Sequence, residues 1–169
     1  NRQIAEALVL LKEIVEKQKD LNTNFYNLAY AYYLNNDYQN ALNALKRAMV
    51  LREDDELSAG LYDLIIKNHF ETDHEVRVSR SRFYLEKALK YKNEAKYFLY
   101  LYYLKSSLLI YPKNHKARLE LADYYLANNY PDRYVQELKV ISKYTKNIQV
   151  EDKIELEENR LAYKLGQDW

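Results

Sequence analysis

The sequence predicts an all-α protein of about nine helices, and three observations support this class. The chain has 169 residues but only two glycines and two prolines, fewer than the turns of a β-rich domain of this size require. Apolar residues recur with the period of amphipathic helices along most of the chain. The breaks between these periodic segments are only a few residues long, so we predict one helical array covering residues 1–169.

The breaks carry residues that suit helix boundaries. Asn36-Asp37 and Asn128-Asn129 are polar turns, and Pro131 suits a first helical turn, where its missing N–H costs nothing. Pro112 ends the helix before it, and Gly166 suits a left-handed helix end. The predicted helices span residues 3–19, 23–35, 38–52, 56–70, 76–91, 94–111, 114–128, 131–145 and 148–165.

Internal similarity indicates that the helices repeat. A shift of 34 residues places Ala7, Leu8 and Leu11 of the first helix on Ala41, Leu42 and Leu45 of the third. The segment LADYYLANNY (121–130) also resembles LAYAYYLNND (28–37). A period of 34 residues is that of the tetratricopeptide repeat (TPR), a hairpin of two helices.

Residues 22–55 resemble the TPR motif closely. Phe25 stands for its Trp, Leu28-Ala29 for its Leu-Gly pair and Tyr32 for its Tyr. The second helix supplies the small and apolar positions with Ala41, Leu45 and Ala48, and Glu53 replaces the closing proline. The resemblance implies an α-α superhelix, a solenoid of antiparallel helix hairpins whose helices approach closely at the alanines.

The resemblance weakens further along the chain. Residues 115–148 keep Leu121-Ala122 and Tyr125, but Arg118 and Tyr134 occupy the large-aromatic and small-residue positions, so we expect looser packing. Residues 56–111 hold three predicted helices without a clear motif. The last helix, 148–165, is predicted to be a solubilising cap. Its inward face carries Val150, Ile154, Leu161 and Leu165.

The helix 23–35 carries aromatic rings on both faces. Tyr32 belongs with Phe25, Leu28 and Ala29 on the face toward the packed layer, whereas Tyr26, Tyr30 and Tyr33 share the other face. In TPR arrays this other face lines a concave groove, so the resemblance implies a tyrosine-lined surface for a partner helix or extended peptide. The alternative is that these rings pack against the preceding helix, Ile4 to Lys19. Some TPR proteins clamp a carboxylate of the partner in this groove. Because tyrosines stand at positions 26 and 30 here, we do not expect a carboxylate clamp.

Two further segments are unusual. In residues 76–96 the basic side chains outnumber the acidic ones. Such a segment could bind an acidic peptide or a lipid headgroup. The alternative is a solvated helix face beside the acidic residues 151–158. We take Arg77 and Arg80 as candidate partner-binding residues from this segment. Residues 96–111 are apolar nearly all round, which indicates a central buried helix or a surface for self-association.

Several classes of function are disfavoured. A net charge of +1 argues against a mainly electrostatic nucleic-acid binder, and no apolar run approaches the length of a transmembrane segment. The chain lacks cysteine, glycine-rich phosphate loops and a nucleophile elbow. His69 and His74 lie near acidic residues, but their spacing matches no zinc signature. We therefore predict no catalytic residues, no cofactor and no metal site.

The hypothesis from sequence is a non-enzymatic scaffold that binds a protein or peptide partner. The roles that are common in the TPR family, and a residue usage typical of AT-rich codons, favour an assembly subunit of a bacterial envelope or motility complex. An accessory helical domain of a larger enzyme and a homo-oligomeric scaffold are the alternatives. Because Asn1 lies at the start of an apparent helix, we expect the chain to be an excised fragment or mature product.

Overall fold

The computed structural model describes residues 2–167, with side chains for residues 2–164, and this part of the chain consists of helices joined by short turns. The predicted all-α class is confirmed, since residues 2–167 form nine helices and no strand. Gly166 does not end the last helix as predicted, because that helix continues to Gln167. The helices are α1 (Arg2–Lys17), α2 (Asn22–Leu34), α3 (Tyr38–Leu51), α4 (Glu56–His69), α5 (Glu75–Asn93), α6 (Tyr97–Ile110), α7 (His115–Ala127), α8 (Pro131–Tyr144) and α9 (Ile148–Gln167).

The chain folds into two compact units, Asn1–Thr72 and Asp73–Trp169. In the first unit α2 packs against α1 and α3, and α3 packs against α4. In the second unit α5 pairs with α6, α7 pairs with α8, and α9 packs on α8. The connection within each pair is a short turn, so the paired helices run antiparallel. A single continuous array over residues 1–169 stays a prediction.

Three hairpins share one repeat register: residues 22–55 (α2–α3), 81–114 (α5–α6) and 115–148 (α7–α8). The first helix of each places a fully buried alanine at the same position, and the second helix places a buried leucine. The expectation that residues 56–111 lack a clear repeat is therefore wrong for 81–114, which directly precedes 115–148 at the 34-residue period. The alanines are Ala29, Ala88 and Ala122, and the leucines are Leu45, Leu104 and Leu138.

The turns within the three hairpins have the same backbone geometry. Asn36, Ala95 and Asn129 occupy equivalent positions and adopt φ angles of 59°, 56° and 61°. The next backbone N–H donates to a carbonyl five residues earlier in each case, at 2.8–2.9 Å. This hydrogen bond and the left-handed residue are those of a Schellman helix end. Asparagine tolerates the left-handed region, but alanine does so at a cost.

We expect Ala95→Gly to raise the free energy of unfolding by about 0.5–1 kcal/mol, because glycine adopts a positive φ without a Cβ clash. Urea denaturation measures the change. Ala5→Gly, at an exposed position inside α1, is the matched control and should lower stability by a similar amount. A loss of stability in both variants would contradict the turn geometry.

Side-chain hydrogen bonds join the first and last positions of two repeats. Asn22 donates to Asp55 Oδ2 at 2.9 Å, and Asn114 Nδ2 lies 2.9 Å from Ser81 Oγ at the equivalent place in 81–114. Asp55 also accepts from the backbone N–H of Ser58 and from its hydroxyl, so it caps α4. Burial alone would raise the pKa of Asp55, but these hydrogen bonds from Ser58 and Asn22 hold that pKa below its ordinary value.

Bulky residues fill the place that Ala41 takes in the first hairpin. Tyr100 and Tyr134 occupy this position in the other two hairpins, and both are buried. The Tyr100 hydroxyl extends to α7 and donates to the backbone carbonyl of Glu120 at 3.0 Å. Burial, with Glu120 beside it, raises the pKa of the Tyr100 phenol.

The last helix covers the apolar end of this unit. Val150 of α9 is buried with Tyr134 and Leu138 of α8, and Ile154 and Leu161 pack against the same cluster. This is the inward face predicted for the helix. The side chain of Leu165, which was predicted to share that face, lies outside the described residues.

Candidate functional site

Five aromatic rings form a continuous surface in the first unit, here called the tyrosine surface. Tyr26, Tyr30 and Tyr33 follow one another along α2, with ring centroids 6.4 and 6.2 Å apart. Tyr33 then contacts Tyr38, the first residue of α3, at 6.2 Å. Tyr38 stacks on His69, the last residue of α4, at 3.8 Å. The tyrosine surface thus joins one face of α2 to the ends of two neighbouring helices.

Local sequence explains how these rings meet. The i, i+4, i+7 spacing of the three α2 tyrosines places them on one helical face. The turn at Asn36 reverses the chain, so Tyr38 returns beside Tyr33. The Tyr38 hydroxyl donates to Asn36 Oδ1 at 2.9 Å, which fixes the ring next to the turn.

The contacts of α2 separate its tyrosines into two sets. Tyr32 lies toward α1, because the ammonium of Lys12 sits over its ring at 5.5 Å from the centroid. The ring contacts of Tyr26, Tyr30 and Tyr33 run instead toward Tyr38 and His69. Tyr30 keeps 46% of its surface exposed, and its two neighbours are half-buried.

Tyr32 is less central than predicted. Its side chain is half-buried, whereas Leu28 and Ala29 on the same helix are buried. The layer between α2 and α3 is closed by the apolar residues of α3, among them Ala41 and Leu45, which have no exposed surface. Tyr32 therefore covers the edge of this layer on the α1 side.

Arg77 and Arg80 do not form an exposed cationic surface. They are only 7% and 9% exposed, although both lie in the basic segment that the sequence singles out. Arg77 Nε donates to the backbone carbonyl of Ile110 at 2.8 Å. Arg80 donates to the Tyr84 hydroxyl at 2.9 Å and stacks over the rings of Phe83 and Tyr84. They are therefore not the exposed residues that the sequence predicts, since Arg77 joins α5 to the end of α6 and Arg80 packs on aromatic residues of its own helix.

A shallow cleft of about 530 Å³ lies between the ends of α5, α6 and α7 in the second unit. Tyr97, Tyr100 and Tyr124 line it together with Lys92 and Asp123. Lys92 is paired with Glu120 at 2.6 Å, so its charge is neutralised locally. The rings that line this cleft do not form a continuous run like that of the tyrosine surface.

His69 and His74 both make contacts with neighbouring residues of the fold. His69 stacks on Tyr38, and His74 Nδ1 accepts the backbone N–H of Val76 at 3.2 Å, which caps α5. Among the described residues no group of His, Asp and Glu side chains is arranged to hold a metal ion. Within residues 2–167 no helix has the length and apolar character needed to cross a membrane.

The chain is similar in structure to a known TPR domain, although its sequence matches no family model and no curated protein. A solved structure, the P58(IPK) TPR domain, aligns with 95% of this chain and 52% of that one, with 19% sequence identity and a TM-score of 0.44. The chain thus spans about half the length of the structure it resembles. The TPR-like character of the hairpins rests on their own shared register of buried alanines and leucines.

Proposed function

We propose that this chain is a protein-interaction scaffold that binds a helix or an extended segment of a partner on the tyrosine surface. One observation carries the proposal: five rings form an unbroken series that runs along one face of α2 to the ends of α3 and α4, and this face differs from the one on which Tyr32 contacts α1. The alternative from sequence is that these rings pack against α1, in which case their replacement would destabilise the first unit and not only weaken binding.

The chemistry of the surface suits an amphipathic partner. Tyrosine presents a large apolar ring with few rotamers, and its hydroxyl can donate to a backbone or side-chain acceptor. The rings already rest on one another, so little side-chain freedom is lost when a partner binds. With no Lys or Arg in the series, we propose that apolar burial with hydroxyl hydrogen bonds holds the partner, rather than charge.

The biological setting follows from the same hypothesis. We propose an assembly subunit of a bacterial envelope or motility complex, supported by the AT-rich residue usage and by the TPR-like hairpins. An accessory role beside a catalytic domain is the second candidate. The reading frame around this chain separates them, since a catalytic domain in the same frame would favour the second.

The test is selection of binding peptides from a random library displayed on phage, with the whole chain as bait. Replacing Tyr26, Tyr30 and Tyr33 together by serine should lower the affinity for the selected peptides at least 100-fold, because a few aromatic anchors dominate the binding energy of most interfaces. Calorimetry on each purified peptide measures this loss. Circular dichroism of the triple variant should still show a folded helical protein, since these rings are not enclosed in the core.

A matched control replaces three tyrosines of the second unit, Tyr97, Tyr130 and Tyr163, by serine. These are at least as exposed as Tyr30, so the control removes as many hydroxyls and rings from the surface. It should leave peptide affinity unchanged. Equal affinity of the selected peptides for the wild type and for the Tyr26/Tyr30/Tyr33 variant would refute the proposed site.

A further inference from the structure

The outer face of α6 carries an exposed apolar stripe. Phe98, Tyr102 and Leu109 keep 83%, 57% and 62% of their surfaces exposed. With Lys105 they lie at i, i+4, i+7 and i+11, which places all four on one narrow face of the helix. The buried residues Tyr100, Leu104 and Ser107 occupy the opposite side. Of the two alternatives from sequence for this helix, complete burial does not hold for this face.

The other two hairpins show what this face normally carries. Because the three repeats share one register, the same four positions can be read on α3 and on α8. They are polar or charged there apart from Val50. Solvent exposure alone therefore does not account for the phenylalanine, tyrosine and leucine on α6. The equivalent residues are Gln39, Asn43, Lys46 and Val50 on α3, and Asp132, Gln136, Lys139 and Lys143 on α8.

We propose that the α6 stripe binds a second copy of this chain, with the two α6 helices packed antiparallel about a two-fold axis. The order of residues in the stripe is the reason to propose a second copy of the chain as the binding partner. An antiparallel pairing centred between Tyr103 and Leu104 sets Phe98 of each copy opposite Leu109 of the other. The same register sets Tyr102 of each copy opposite Lys105 of the other.

Both contacts in this pairing are favourable. Phe98 and Leu109 bury apolar surface, and the Lys105 ammonium lies over a tyrosine ring, a cation–π arrangement. The two lysines lie about 4.5 Å apart along the helix axis, and each is directed at a tyrosine ring of the other copy rather than directly at the other lysine. A single helix pair buries an area at the low end for stable complexes, so the dimer forms at high protein concentration.

Sedimentation equilibrium over a concentration series tests the association. The wild type is expected to shift from monomer to dimer, and Phe98→Lys is expected to weaken the dimer at least 30-fold, since it places a charge opposite Leu109. Leu156→Lys, at a similarly exposed leucine of α9, is the matched control and should associate as the wild type does. A wild type that stays monomeric to millimolar concentration would overturn the proposal, as would an undiminished Phe98→Lys dimer.

Disulfide trapping tests the orientation, because the chain has no cysteine of its own. A mixture of Phe98→Cys and Leu109→Cys proteins should cross-link between the two variants, and the second Phe98–Leu109 contact of that dimer stays intact. Phe98→Cys alone should not cross-link, because its two positions lie ~16 Å apart along the helices, beyond the reach of a disulfide. Cross-linking of Phe98→Cys alone at the rate of the mixture would overturn the antiparallel arrangement.

Discussion

Leu45→Ala is expected to lower the free energy of unfolding by about 2–5 kcal/mol, the range for a fully buried leucine whose cavity cannot close. Leu45 has no exposed surface and lies where the second helix of the hairpin meets the first. Ala41 and Ala48 on the same helix are equally enclosed, so the backbone already approaches closely and has little room to collapse into the cavity.

Urea denaturation followed by circular dichroism measures this loss. Leu57→Ala is the control on a leucine that is mostly exposed, and its effect should stay within about 0.5 kcal/mol. Leu104→Ala and Leu138→Ala probe the equivalent position of the other two hairpins and should fall in the same range as Leu45→Ala. Widely different losses of unfolding free energy among the three leucine variants would contradict the shared register.

Arg77→Ala is expected to destabilise the second unit by about 1–3 kcal/mol through the loss of its buried hydrogen bond to Ile110, with a further loss from packing of the side-chain stem. Arg77 Nε donates to the Ile110 carbonyl at the end of α6, so the change leaves that buried acceptor without this donor. A residue on a partner-binding surface would instead change affinity with little effect on folding.

Arg82→Ala provides the comparison, because Arg82 lies on the same helix and is exposed. Its effect on thermal and chemical unfolding should be within about 0.5 kcal/mol. If Arg77→Ala proved as harmless as Arg82→Ala, the assignment of Arg77 to the folded core of this unit would fail.

The hairpin 22–55 could be predicted from sequence in most of its detail. Its small residues stand at the motif positions, and Ala29, Ala41 and Ala48 are all fully buried as the TPR resemblance implies. The helical period also gave the number and approximate bounds of the helices, because the turns between them are short and polar.

The hairpin 81–114 could not be recognised in the same way. Tyr100 stands where the motif has a small residue, and Lys87 replaces the leucine before the buried Ala88. The Tyr100 phenol fits at this position with its hydroxyl donating to the backbone carbonyl of Glu120 on the next helix, a contact that no local pattern encodes. The recurring left-handed residue, Ala95, gave no signal either, since alanine is not typical of that conformation.

The candidate site, too, could be predicted from sequence only in part. The shared face of Tyr26, Tyr30 and Tyr33 follows from helical spacing alone. Tyr38 and His69 could not be assigned to it, because they reach it across a turn and from the end of α4. The burial of Arg77 and Arg80 was likewise hidden, since a basic segment usually indicates a solvated face.

Chemical footprinting of tyrosine hydroxyls tests the central claim most directly. The chain carries 19 tyrosines, so acetylation read out by mass spectrometry surveys both units at once. When a selected peptide is bound, Tyr26, Tyr30, Tyr33 and Tyr38 should lose reactivity while Tyr130 and Tyr163 keep theirs. Unchanged reactivity of the four, with protection confined to tyrosines of the second unit such as Tyr97 and Tyr124, would contradict the account.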